Sequence, residues 1–163
     1  MQKSILSLTT TLEQIQNGLG ALLPEILLAA FCLLVVFTDL FKADFAKSIL
    51  PFLALLGLSL ILGVQFTEGL SSSRYARPEP FLLGLLVKDG LSMYAGILFS
   101  LSAIITIGLV WHYYPFKTHY FGKGEFYAYL LVLVLGLNLM VKSANLLMLF
   151  ISIELVSIAS YLL

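Results

Sequence analysis

Long apolar runs separated by short polar stretches constrain this chain more than anything else in it. The runs are Leu19–Phe41, Ile49–Phe66, Gly90–Val110, Glu125–Val141 and Leu146–Leu163. A hydrocarbon core of ~30 Å is crossed by a helix of about 20 apolar residues, and a helix satisfies its own backbone hydrogen bonds in lipid. The reading is therefore an all-α, polytopic integral membrane protein with five transmembrane helices. Composition agrees: 60% of residues are hydrophobic, 11% are charged, and the mean hydropathy is +1.02. A soluble domain holds about 45–50% apolar and ~25% charged residues. The zero net charge gives no reason to expect a nucleic-acid partner.

The expected organisation follows from these runs. Residues 1–18 form a polar N-terminal segment without the basic-then-apolar layout of a signal peptide. Helix 1 spans residues 19–41, with Pro24 and Glu25 marking its start at the membrane surface, since proline and an acid both suit a first helical turn. Helix 2 spans 49–66, with Pro51 in its opening turn. Residues 67–88 form an extramembrane link holding Arg74, Arg77, Pro78, Glu79 and Pro80. Within it, Phe81–Val87 is too short to cross as a helix and reads as a strand, a hairpin arm or a surface-lying piece. Asp89 caps helix 3, residues 90–110, which ends at Trp111, His112, Tyr113 and Tyr114, an aromatic group suited to a membrane edge. Helix 4 spans 125–141. A tight turn follows, and Asn145 caps helix 5, residues 145–163. The sequence stops inside an apolar run, as expected of the front part of a longer protein.

Charge gives weak guidance to orientation. Lys3, Arg74, Arg77, Lys88 and Lys142 fall on one side; Lys42, Lys47, Lys117 and Lys123 fall on the other. The long link counts for less than the short loops, which favours the Lys42/Lys117 side as cytoplasmic.

Glu154 carries the strongest chemical expectation. It follows the polar cluster Lys142-Ser143-Ala144-Asn145 by roughly 13–14 Å of helix. That is close to half the thickness of the hydrocarbon core. A carboxylate there costs on the order of 2.5–3.5 kcal/mol on the lenient insertion scale, and such groups mark ion and proton pathways. Ser157 and Tyr161 share its face and offer hydroxyls. The plainer alternative is a protonated carboxyl bonded to a neighbouring helix. Lys142 reads as a lysine snorkelling to the headgroups, or as a charge feeding Glu154 across the turn. Asn138 reads as a helix-packing amide. Cys32 reads as a packing residue, and His112 and His119 as edge or loop residues with no metal-binding spacing. The chain offers no ligands for flavin, haem or iron–sulfur clusters.

Several pieces of sequence together resemble a known family. They are Leu23-Pro24-Glu25-Ile26, Lys88-Asp89-Gly90-Leu91-Ser92, Gly124-Glu125-Phe126-Tyr127-Ala128, Ser143-Ala144-Asn145-Leu146-Leu147, and Ile153-Glu154-Leu155-Val156-Ser157 through Tyr161-Leu162-Leu163. They are similar to the N-terminal portion of subunit N of the proton-pumping NADH–quinone oxidoreductase, respiratory complex I. The resemblance implies the first part of an antiporter-like subunit built from inverted repeats, each holding a broken helix. It implies a protonatable glutamate on the fifth helix, matching Glu154, and a partner lysine on a later broken helix. It further implies NADH, FMN, iron–sulfur clusters and quinone on partner subunits and none of these on this chain. The expected partners are other membrane-arm subunits and the lipid bilayer. The expected location is a bacterial inner (plasma) membrane, with the N-terminus periplasmic. Where family members often carry a proline shortly after the glutamate, this chain reads Ser157-Ile158-Ala159-Ser160. A subunit of a multisubunit cation/proton exchanger or membrane-bound hydrogenase, and a non-catalytic membrane scaffold, are the competing readings.

Overall fold

The computed structural model describes residues 20, 22–40, 44–70, 79–81, 84–112 and 123–163. The polar segment 1–18, Lys42, Arg74, Arg77, Tyr113, Tyr114, Lys117 and His119 lie outside the described residues. Among the described residues there are five helices: α1 (Leu23–Leu40), α2 (Asp44–Leu70), α3 (Gly90–His112), α4 (Lys123–Lys142) and α5 (Leu146–Leu162). Strands β1 (Glu79–Phe81) and β2 (Leu86–Lys88) stand between α2 and α3. Among the described residues, four helical stretches are long and apolar enough to cross a membrane: Leu23–Leu40, Ile49–Thr67, Gly90–His112 and Gly124–Lys142. The apolar α5, with 17 residues, sits at the short end of the crossing range.

The helices alternate in direction, so the start of α1, the end of α2, the start of α3 and the end of α4 share one end of the bundle. Helix α4 is the central element. It packs against α1, α2, α3 and α5 and also touches β2, whereas α5 packs on α4. The core gathers Leu28 and Val35 from α1, Leu50, Ala54, Leu58 and Ile61 from α2, and Ala103 and Ile107 from α3. From α4 it takes Tyr127, Leu131 and Val134. On α3 the buried stripe runs Ser92, Gly96, Ser100, Ala103 and Ile107, recurring at helical spacing. Small residues suit such a seam: lipid offers helices no hydrophobic drive to associate, so close backbone approach and dispersion hold them together. The outer faces are large and apolar, including Leu33, Phe37, Leu56, Leu60, Leu98, Ile105 and Leu109, all exposed.

Two features depart from the sequence reading. Helix α2 begins at Asp44 and runs for 27 residues, which places Pro51 inside the helix instead of in its opening turn. The polar residues before an apolar run continue its helix beyond the core, and neighbouring helices let a membrane helix tolerate an internal proline. The same helix reaches Leu70 and takes Thr67–Leu70 from the link. The link itself holds an antiparallel hairpin in the register Glu79↔Lys88, Pro80↔Val87 and Phe81↔Leu86. Gly84 in its turn has φ +80°, a backbone region that glycine enters without steric cost.

Local signals explain the helix starts. Asp89 Oδ1 accepts from the Ser92 backbone N–H at 2.8 Å, and the Asp89 N–H donates to Ser92 Oγ at 3.1 Å, a reciprocal cap on α3. Asn145 caps α5, its side-chain oxygen accepting from the Leu147 N–H at 3.2 Å. At the opposite end of the bundle, Phe52 and Trp111 meet edge to face with ring centroids 4.6 Å apart.

Candidate functional site

Two polar regions stand out in an otherwise apolar bundle. The first lies under the hairpin, where Lys142 Nζ donates to Glu25 Oε1 and each side chain is only 5% exposed. Chain alternation explains the meeting: the first turn of α1 and the last turn of α4 share one end, and Glu25 and Lys142 occupy those turns. An acid suits a helix N-terminus and a cation suits a C-terminus. Their mutual attraction offsets the desolvation of two buried charges. Glu25 Oε2 is also buried but has no hydrogen-bond partner among the described residues.

These placements bear on two expectations. Glu25 lies in the first turn of α1, where its position beside Pro24 put it, and its side chain is buried against α4. Lys142 neither snorkels outward nor meets Glu154; it turns inward to α1. Glu25 supplies a buried anion to which the lysine turns.

The polar region continues inward. Asn138, one turn before Lys142 on α4, is 2% exposed, and its Oδ1 is buried with no hydrogen-bond partner among the described residues. A Cβ added to Gly96 would stand 2.8 Å from Asn138 Oδ1 and 2.8 Å from Gln65 Nε2, so both amides crowd over the bare glycine backbone. Gln65 Oε1 in turn accepts from Ser100 Oγ at 3.2 Å. Asn138 is buried beside Gly96 and belongs to a polar line of five side chains drawn from four helices: Glu25, Lys142, Asn138, Gln65 and Ser100. Gln65 and Ser100 carry no motif in the sequence. Their one signal is that each falls on the buried stripe of its helix, where a polar residue needs a partner.

The hairpin closes this end. The Ala144 N–H donates to Leu85 O at 3.0 Å, Leu86 bridges to Ser143, and Leu86 is buried. The corner between α4 and α5 is thus tied to the hairpin from above and to α1 through Lys142.

The second region is Glu154. It lies at the midpoint of α5 and is exposed. Ser152 and Ala159 form the buried side of this helix, whereas Phe150, Ile151, Ile158 and Tyr161 are exposed with Glu154. The Glu154 carboxyl therefore sits on a face that none of the described elements covers. Ser157 is half-buried, and Tyr161 is 88% exposed. Cys32 is half-buried between α1 and α4, with Sγ 3.7 Å from Ala128 O. His112 is exposed at the end of α3.

Over 153 residues the chain is 34% identical to NADH-quinone oxidoreductase subunit N 2 of Chloroherpeton thalassium, covering 91% of this chain and 28% of that protein. It is 32% identical over 145 residues to NADH-quinone oxidoreductase subunit N of Rhodospirillum rubrum, covering 88% of this chain and 28% of the relative. It is 33% identical over 144 residues to NAD(P)H-quinone oxidoreductase subunit 2 of Gloeobacter violaceus. Among solved structures, it resembles a chain of respiratory complex I from Thermus thermophilus with bound Aureothin. That similarity has a TM-score of 0.65 and 25% identity, and covers 85% of this chain and 28% of the other. No family model matches the sequence. The chain spans between a quarter and a third of the length of these relatives.

Proposed function

We infer the function from one premise, that this chain is related to subunit N of the NADH–quinone oxidoreductases and corresponds to an N-terminal portion of it. On that premise it works in the membrane arm of such an oxidoreductase and takes part in moving protons as electrons pass from NADH to quinone. Electron transfer itself, with NADH, FMN, iron–sulfur clusters and quinone, belongs to partner subunits. The complex sits in a bacterial inner membrane with the N-terminus of this chain on the periplasmic side.

The observation that carries this reading is the place of Glu154. A carboxyl halfway along an apolar helix, on a face the bundle leaves open, needs a partner from beyond these five helices. An ionisable group at that depth is costly, and holding a proton is a role that accounts for the cost. Redox events elsewhere in the complex shift the balance between its protonated and ionised forms, and the proton is taken up on one side and released on the other. The Glu154→Gln variant of the assembled enzyme tests this. It is expected to oxidise NADH with fewer protons moved per electron, and an unchanged ratio would remove Glu154 from the pathway.

A further inference from the structure

The Glu25–Lys142 pair is better placed than stability alone requires. Burying two charges in a membrane bundle gains little over apolar packing of the same volume, so such a pair is weak evidence of a purely structural role. An ionisable residue inside a membrane bundle is a functional group by default. Two further features point the same way. Among the described residues, Glu25 Oε2 is buried without a partner, and so is Asn138 Oδ1 one turn deeper. Both atoms are acceptors lacking donors, which makes each a place for a water or a proton. Beyond Asn138, the amide of Gln65 and the hydroxyl of Ser100 extend the polar line into the bundle.

We propose that Glu25 and Lys142 form a second proton-holding site, separate from Glu154, that releases its proton at the hairpin end of the bundle. A hydronium held at Asn138 Oδ1 gives its proton to Glu25 Oε2 and stays there as water. Lys142 keeps its own proton and becomes a cation without its counter-ion. When Glu25 gives the proton to a water on the hairpin side, which leaves as hydronium, the carboxylate returns and the pair re-forms. The hairpin, tied to the α4–α5 corner through Leu85 and Leu86, stands at the releasing end.

This inference rests on the proton-moving role proposed above, so its test runs beside a Glu154→Gln control in the assembled oxidoreductase. Two variants are compared with the parent: Glu25→Gln, and Glu25→Gln with Lys142→Gln, which removes both charges should the single change prevent assembly. Protons moved per electron are measured per assembled complex, and a protonated-carboxyl band is followed by infrared difference spectroscopy during turnover. The expected result is a lowered proton ratio in every variant that assembles, with loss of a carboxyl band that Glu154→Gln retains. A purely structural pair would reduce the amount of complex and leave the ratio at the parent value, and that outcome would overturn the proposal. If Glu154→Gln alone lowers the ratio, the second site fails and the first stands. If neither glutamate variant lowers it, the proton-moving role fails as well.

Discussion

Asp39, near the end of α1, lies so close to Gly124 at the start of α4 that a Cβ on that glycine would overlap the Asp39 carboxylate. Helix α1 therefore meets both ends of α4 with an acid: Glu25 at the C-terminal end, through Lys142, and Asp39 at the N-terminal end. An acid is poorly placed at the end of its own helix but well placed at the start of another. Gly124→Ala must push this carboxylate away and is expected to destabilise the bundle by about 1–3 kcal/mol, a typical cost of overpacking. Thermal unfolding in detergent checks this, and a midpoint equal to the parent's would contradict the close approach.

The buried pair predicts a non-additive pattern. Lys142→Met strands the Glu25 carboxylate and is expected to cost about 3–5 kcal/mol, whereas Lys142→Met with Glu25→Leu should recover most of that loss. A double-mutant cycle on unfolding in detergent measures the coupling. Equal and additive losses would mean that the two charges do not depend on each other.

Helix α5 depends on its contact with α4. A Cβ on Gly136 would stand 2.8 Å from Val156 Cγ2 and 3.2 Å from the Val156 backbone nitrogen, and a backbone atom cannot rotate away. Gly136→Leu is expected to pry α5 off α4 and so displace Glu154, while the α1–α3 seams remain. A cysteine cross-link placed across the α4–α5 interface would form readily in the parent and poorly in the variant.

The cap on α5 makes a smaller prediction. Asn145→Ala removes the acceptor for the Leu147 N–H and should cost about 0.5–2 kcal/mol. Asn145→Asp keeps that acceptor and should be close to neutral. A loss of the same size in both variants would assign the role to the amide group and not to the cap.

Much of this fold is legible in the sequence, because apolar run length is a direct consequence of bilayer thickness and the caps are local. Asp89 and Asn145 could be placed at their helix starts for that reason. The Glu25–Lys142 meeting is harder to read. It joins residues 117 positions apart and depends on which helices are neighbours, which run length does not encode. Helix parity does place both at one end of the bundle, and that is the clue a sequence offers. Gln65 and Ser100 are less legible still, since single polar residues in apolar runs gain meaning only when packing brings them together. Glu154 stands out by chemistry alone, but its open face follows from α5 packing on α4 and from nothing local to the residue.

The proposed role of Glu154, holding a proton on its way across, is tested most directly by the protons moved per electron in an oxidoreductase assembled with this chain, with Glu154→Gln and Glu154→Asp measured together. The glutamine variant, which cannot ionise, should lose proton movement, and the aspartate variant, which can, should keep a substantial part of it. Parent-level pumping in the glutamine variant would contradict the assignment.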